Sequence, residues 1–127
     1  MKAITINKRP KIGALSHSVR LTNEQIPAPG KHDVLIKVHY SSINIDDLHV
    51  AEGSFYGGIP VGPKPSEKNH VIPGTDFSGI VEKIGSKVKR FKVGDQVFGI
   101  HSPTRRDGPW AEFCCTNENY VCINLII

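Results

Sequence analysis

The fold is decided by residues 73–85, which read PGTDFSGIVEKIG, together with residues 94–100, which read GDQVFGI. In both stretches apolar, β-branched and aromatic residues stand between glycines, a pattern typical of short strands joined by turns. We therefore expect one strand over Phe77–Ile84 and a second over Gln96–Ile100. The glycines lie where a strand begins, bends or turns, so we interpret them as parts of the scaffold.

The same pattern continues on the N-terminal side of these strands. Val34–Tyr40 is the strongest β run in the sequence, and alternation places Ile36, Val38 and Tyr40 on one face. Two further strands are expected over Met1–Ile6 and Leu15–Leu21. The chain is therefore expected to be mainly β.

One short helix interrupts the strands. Asn44 is a favoured N-cap residue, Asp47 follows three positions later, and Gly53 is a typical stop signal. From Gly53 to Pro73 the density of glycine and proline is too high for a regular element, which predicts a long loop.

Length and composition limit the class of protein. The chain has 127 residues, a formal net charge of +4 and 39% hydrophobic residues, which favours one globular domain. No apolar stretch is long enough to cross a membrane or to act as an export signal, and the three cysteines indicate no disulfide framework. We expect a cytoplasmic protein that binds neither membrane nor nucleic acid, since a net charge of +4 is common in soluble enzymes.

Four motifs, in order, carry a resemblance to a known family. They are Asn44-x-x-Asp47, then Pro73-Gly74-Thr75-Asp76-x-x-Gly79-x-Val81-x-x-x-Gly85, then Phe91-x-Val93-Gly94-Asp95-x-Val97, then Gly108-x-x-Ala111-Glu112-Phe113. The series resembles the N-terminal, GroES-like catalytic domain of the medium-chain dehydrogenase/reductase superfamily, and more narrowly its zinc-independent quinone oxidoreductase and enoyl reductase branch. The resemblance implies a GroES-like, partly open antiparallel β-barrel with one or two short helices, forming a single domain over residues 1–127.

The resemblance also bears on metal binding. Zinc-dependent relatives carry cysteine at the position of Asn44 and His-Glu at the position of Thr75-Asp76. This chain offers an amide and a hydroxyl there, which are poor zinc ligands, so we expect no catalytic zinc. Its three cysteines are too few for a structural zinc lobe of four.

Three residues are candidates for the site. His49 aligns with a position where relatives carry a proton-relay histidine or a tyrosine near the nicotinamide, and an imidazole suits proton transfer at neutral pH. A surface histidine without a function is the alternative. Phe55 stands where enoyl reductases have a catalytic tyrosine, and the adjacent Tyr56 is the candidate substitute. Asn44 is expected to face the cofactor.

The resemblance implies hydride transfer from NADPH or NADH to a quinone or another activated carbonyl or alkene. The sequence contains no Gly-x-Gly-x-x-Gly after a strand, so the Rossmann domain that holds the dinucleotide is expected to be missing from this chain. We expect the substrate-side half alone, inactive and without bound cofactor. Its candidate partners are a small-molecule substrate, the missing domain and a second copy in a homodimer. The alternative is a non-enzymatic β-barrel binding module that contacts its partner through the loop over residues 53–73.

Overall fold

The computed structural model describes residues 1–54 and 60–125, and the structural statements below concern those residues. They form seven strands and one α-helix, in the order β1 (Lys2–Ile6), β2 (Val19–Asn23), β3 (Asp33–Tyr40), α1 (Ile45–Glu52), β4 (Asp76–Ile84), β5 (Gln96–Ile100), β6 (Phe113–Asn117) and β7 (Val121–Ile123). None of the helical residues belongs to a helix long and apolar enough to span a bilayer.

The strands build two antiparallel sheets. β1 and β2 pair with each other, while the larger sheet has the order β6-β3-β4-β5-β7. Gly79 lies where β4 approaches β3 closely, since a Cβ there would stand 2.1 Å from the carbonyl oxygen of Lys37. The two sheets do not close into a barrel, which confirms the partly open, mainly β architecture.

The core has two parts. The first lies under the large sheet and gathers buried residues from β3 to β7 and from the turn between β4 and β5; its members are Val34, Ile36, Phe77, Val81, Val88, Phe91, Val97, Cys114 and Val121. The second is smaller and joins Ile6 of β1 to Ala51 of α1, with Leu15 and Val71. The second cluster therefore holds α1 against the small sheet.

The helix follows the signals in the sequence. Asn44 is its N-cap and forms a capping box with Asp47, and Gly53 ends it in the left-handed conformation at φ 74°. Arg9 donates from Nη1 to the carbonyl oxygens of Val50 and Ala51, at 3.1 and 3.4 Å, so its guanidinium satisfies the last turn.

Two expectations about strands are wrong. Leu15–His17 is a 3-10 turn, and only Val19–Asn23 is a strand, because Leu15 packs into the second core cluster while Leu21 is 68% exposed. Tyr40 does not share the buried face of Ile36, because the pairing of β3 with β4 shifts register between Val38 and Tyr40, and Tyr40 is 77% exposed.

Candidate functional site

The candidate site lies where the segment after β3, the N-terminus of α1 and the start of β4 meet. Ser42 and Asn44 come from the segment before the helix, Asp47 from its first turn, and Thr75 and Asp76 from the entry to β4. These five polar side chains are joined by hydrogen bonds. The site is therefore set by the packing of α1 against the strand entry.

Asn44 connects the helix to β4. Its Oδ1 accepts from the backbone N–H groups of Asp46 and Asp47 at 2.9 and 3.3 Å, and its Nδ2 donates to Asp76 Oδ2 at 3.1 Å. Ser42 donates from its backbone N–H and its hydroxyl to the same Asp76 carboxylate, at 2.9 and 2.8 Å. Asp76 is thus held from two sides.

Asp47 is the buried member of the network, with 2% of its surface exposed. One carboxylate oxygen accepts from the Thr75 hydroxyl at 2.5 Å, and the other accepts from the backbone N–H of Asn44 at 2.9 Å. These contacts give Asp47 a structural role as a member of the capping box in the first turn of the helix.

The pKa values of the Asp47 and Asp76 carboxylates are shifted in opposite directions. Burial raises the pKa of Asp47, and the donated hydrogen bonds from Thr75 and Asn44 only partly offset it. Burial also acts on Asp76, but there the hydrogen bonds from Ser42 and Asn44 outweigh it and lower the pKa. Asp76 is therefore the fixed anion of the site.

His49 lies in the last turn of α1, half-buried, and its side chain forms no hydrogen bond to the described residues. Asn44 and His49 are thus on the same short helix, but the network contains only Asn44. Tyr56 falls within residues 55–59 and lies outside the described part of the chain.

A cleft adjoins the network. Asp47 and Thr75 line it together with residues of the second core cluster, of the loop after α1 and of the loop after β5. Its lining also includes Ile6, Arg9, Val50, Ala51, Val61, Pro63, Pro65, Ile72, His101, Ser102 and Arg105. It is mostly apolar, with its cationic groups on two sides.

A half-buried ionic cluster supports the side of the cleft formed by the loop after β5. Arg105 binds Asp107 through Nε and Nη2, both at 3.1 Å, and Asp33 through Nη1 at 3.0 Å. His101 is 2% exposed, its backbone N–H donates to the carbonyl oxygen of Thr75 at 2.5 Å, and its Nε2 lies 3.3 Å from Asp107 Oδ1. That last contact is too poorly aligned to count as a hydrogen bond.

The donor set at the network does not fit zinc. The Thr75 hydroxyl is donated to Asp47, the Asn44 oxygen caps the helix, and the Asp76 carboxylate accepts from Ser42 and Asn44, so each of these groups is already engaged in hydrogen bonds. In residues 1–54 and 60–125 no group of three or more His, Cys, Asp or Glu side chains could hold a metal ion.

Sequence reasoning missed Ser42 and His101 as members of the site. Ser42 stands two residues before an N-cap, a position at which hydroxyl residues are common and give no distinct signal. His101 has its partners at Thr75 and Asp107, and no spacing in the sequence connects it to either. Ser42 is identified only when the segment after β3 is placed beside β4, and His101 only when the loop after β5 is placed there.

The chain is similar in sequence to a known domain family and to several known proteins. The alcohol dehydrogenase GroES-like domain family matches residues 30–126 of the chain. Quinone oxidoreductase of Rattus norvegicus is 36% identical over 94 residues, which are 74% of this chain and 25% of the rat protein. Sorbitol dehydrogenase of Homo sapiens is 39% identical over 96 residues, which are 76% of this chain and 24% of the human protein.

A solved structure is similar over nearly the whole chain. It is that of a candidate zinc-dependent alcohol dehydrogenase protein from Rhizobium etli CFN 42, with a TM-score of 0.79 at 31% sequence identity, covering 98% of this chain and 33% of that one. The chain spans about a quarter of the length of the curated relatives it matches.

Proposed function

We propose, because the chain belongs to the alcohol dehydrogenase GroES-like domain family, that it is the substrate-side domain of a zinc-independent, NAD(P)H-dependent oxidoreductase. The reaction is hydride transfer to a quinone or to another activated carbonyl or alkene. The observation that carries the proposal is the hydrogen bonding of Asn44, Thr75 and Asp76. These residues stand where zinc-dependent relatives have their metal ligands, and here they bind one another and Asp47 instead.

Asn44 is the proposed contact to the cofactor. Its Nδ2 carries two hydrogens, and one of them is donated to Asp76. The second hydrogen fits the carboxamide oxygen of a nicotinamide, and the Asp76 carboxylate fixes the direction in which it points. Bound NADPH or NADH would supply the hydride. The role of this chain is to orient the ring and the substrate.

His49 and Tyr56 are the proposed sources of the proton that the reduced substrate takes up at oxygen. An imidazole or a phenol can donate that proton, and His49 is partly exposed, so solvent can restore it. The network itself supplies no proton in this proposal, because Asp76 is held as an anion and Asp47 is enclosed by Thr75 and Asn44.

The dinucleotide-binding domain is the proposed partner of the surface beside the network. Tyr40, Ile43 and Ile45 are 77%, 75% and 60% exposed, and they lie in the chain on either side of Ser42 and Asn44. Apolar side chains at such exposure are suited to an interface. We include in the proposal a cytoplasmic location and a homodimeric complete enzyme.

The experiment joins this chain to the dinucleotide-binding part of the rat quinone oxidoreductase and measures NADPH oxidation with a panel of quinones and enones. We expect quinone-dependent oxidation by the fusion, none by the 127-residue chain alone, and a large loss of kcat/KM for Asn44→Ala. The exposed Asn23→Ala is the matched control and should leave the rate unchanged. A fusion that binds NADPH and reduces none of the acceptors would contradict the proposal.

A further inference from the structure

Arg9 places a positive charge in the cleft, and its hydrogen bonds to helix α1 use only part of its guanidinium group. It precedes the segment that the family matches, is half-buried, and lines the cleft together with Asp47 and Thr75. Its Nη1 serves the carbonyl oxygens of Val50 and Ala51. A guanidinium carries five N–H groups, so the Nε and Nη2 donors remain without a partner in the described residues.

Among residues 1–54 and 60–125, no carboxylate forms an ion pair with this guanidinium. All ion pairs among the described residues involve other groups, and the nearby Glu52 accepts instead from the backbone N–H of Gly13 at 2.7 Å. Residues 55–59 contain no acidic residue either. By contrast Arg105, the other arginine of the cleft, is bound to both Asp33 and Asp107. Arg9 is therefore the uncompensated cation of the cleft, and desolvating such a charge is costly.

Most of the remaining lining is apolar, and the free space is small. The apolar part includes Val50, Ala51, Val61, Pro63 and Pro65. The cleft has about 30 Å³ of free space, roughly enough for two water molecules and so for the two oxygens of a carboxylate. A carboxylate fits beside the guanidinium in that space, while a larger apolar body would lie across the mouth of the cleft.

We propose that Arg9 binds the carboxylate of the substrate, so that the substrate is an apolar carbonyl or alkene compound bearing an acid group. The type of reaction in this inference rests on the proposed function. The acid group of the substrate is inferred from the charge of the cleft. Helix α1 separates Asn44 from Ala51 by roughly 10 Å at ~1.5 Å per residue, which sets the approximate distance from the reacting carbon to the carboxylate. Arg9 is a residue that determines specificity and takes no part in the hydride transfer.

The test uses the 127-residue chain and two fluorinated probes, 4-fluorophenylacetate and its neutral amide, 4-fluorophenylacetamide. Binding is followed by ¹⁹F NMR at low salt and at 0.3 M NaCl. We expect the acid to bind about tenfold more tightly than the amide at low salt, and the preference to shrink at high salt. Arg9→Met should abolish the preference, and Arg9→Lys should weaken it, because lysine keeps the charge but lacks the paired Nε and Nη2 donors.

Lys8→Gln is the matched control, because it removes one exposed positive charge next to Arg9 and should leave the preference intact. Should Arg9→Met not fold, the Nε signal of Arg9 in the native chain must shift with the acid and not with the amide. Equal binding of acid and amide, an unchanged preference in Arg9→Met, an equal loss in Lys8→Gln, or no binding of either probe at millimolar concentration would each overturn the proposal. None of these readouts needs cofactor or turnover, so they are independent of the test of the proposed function.

Discussion

Asn44 is the residue on which local structure and proposed function meet. Its oxygen caps the helix while its nitrogen reaches Asp76 on β4, so one short side chain connects two elements. A cap replacement such as serine would keep the first contact and lose the second, because a hydroxyl is too short to span both. The amide is therefore required by the network and not by the helix alone.

The proposed donation of a proton to the substrate can be tested at a single residue, His49. In the fusion with a dinucleotide-binding domain, His49→Phe should lower kcat/KM by roughly tenfold or more if the imidazole donates the proton, a value at the low end for general acids. The measurement is kcat/KM as a function of pH between 5.5 and 8.5. The exposed His39→Phe serves as the control. Unchanged kinetics across neutral pH would make His49 a surface residue.

Helix α1 illustrates how an element of eight residues is held. Its N-terminus is closed by the capping box and its C-terminus by Gly53 and Arg9, while only Ala51 and Leu48 contribute to the second core cluster. Isolated helices this short are not stable in water. The end contacts are therefore essential to its position.

Gly53→Ala is predicted to destabilise the fold by more than about 1 kcal/mol, as measured by urea unfolding. The left-handed conformation disfavours any side chain, and a Cβ would stand 2.9 Å from the Arg9 side chain. Gly13→Ala is a matched control, since Gly13 has φ +79° and no atom within 4 Å of its added Cβ. Gly13→Ala should lower the free energy of unfolding by about 1 kcal/mol, the cost of holding alanine in the left-handed conformation without a steric clash. Equal losses for the two variants would argue against a contact with Arg9.

The loop between β5 and β6 is held by ion pairs as well as by the packing of Trp110 against the second core cluster. Arg105 ties it to Asp33 at the start of β3, and Asp107 lies between Arg105 and His101. Burial by itself would raise the pKa of Asp107, but the contacts with His101 and Arg105 outweigh it and lower the pKa. The carboxylate is therefore a stabilising anion.

This shift predicts a pH dependence of stability. A lowered pKa in the folded state stabilises the protein above the unfolded value of about 3.9, and the contribution is lost as pH falls through the folded value. Asp107→Asn should cost about 1–3 kcal/mol at pH 7 and reduce the loss of stability between pH 4 and pH 2. Urea unfolding across that range measures both effects, with the exposed Glu82→Gln as the control. An unaltered acid dependence in Asp107→Asn would contradict the assignment.

At the scale of the molecule, the large sheet has one buried face and one face that carries exposed apolar residues. Phe98 of β5 is 49% exposed and aligns with Ser78 of β4 and Cys122 of β7. The inner face supplies the first core cluster. The opposite face is buried only in part, at the paired residues Leu35 and Cys115, which are 3% and 0% exposed.

The zinc content of the purified chain tests whether the protein is zinc-independent. We expect the purified chain to carry no stoichiometric zinc, because Asn44 and Thr75 offer an amide and a hydroxyl that are engaged in other hydrogen bonds. Elemental analysis after dialysis against a mild chelator is the measurement. About one zinc per chain surviving that treatment would overturn the zinc-independent assignment.

Local sequence was sufficient for the strands β3, β4 and β5, for both ends of α1 and for the family, which the comparison with known proteins confirmed. These features depend on alternation, capping and turn chemistry, which act over a few residues. The role of Asp47 in the first helical turn was predictable for the same reason. Local signals thus determined the elements and the position of the network in the chain.

Only the tertiary structure decided the rest. Leu15 is buried because α1 and Val71 reach it, Tyr40 is exposed because the pairing of β3 with β4 shifts register, and Arg9 lines a cleft because α1 ends beside it. Each outcome depends on residues more than thirty positions apart, and contacts at that separation leave no periodic signal in the sequence. The charge of the cleft follows from packing for the same reason, since sequence alone does not tell which arginine finds a carboxylate and which does not.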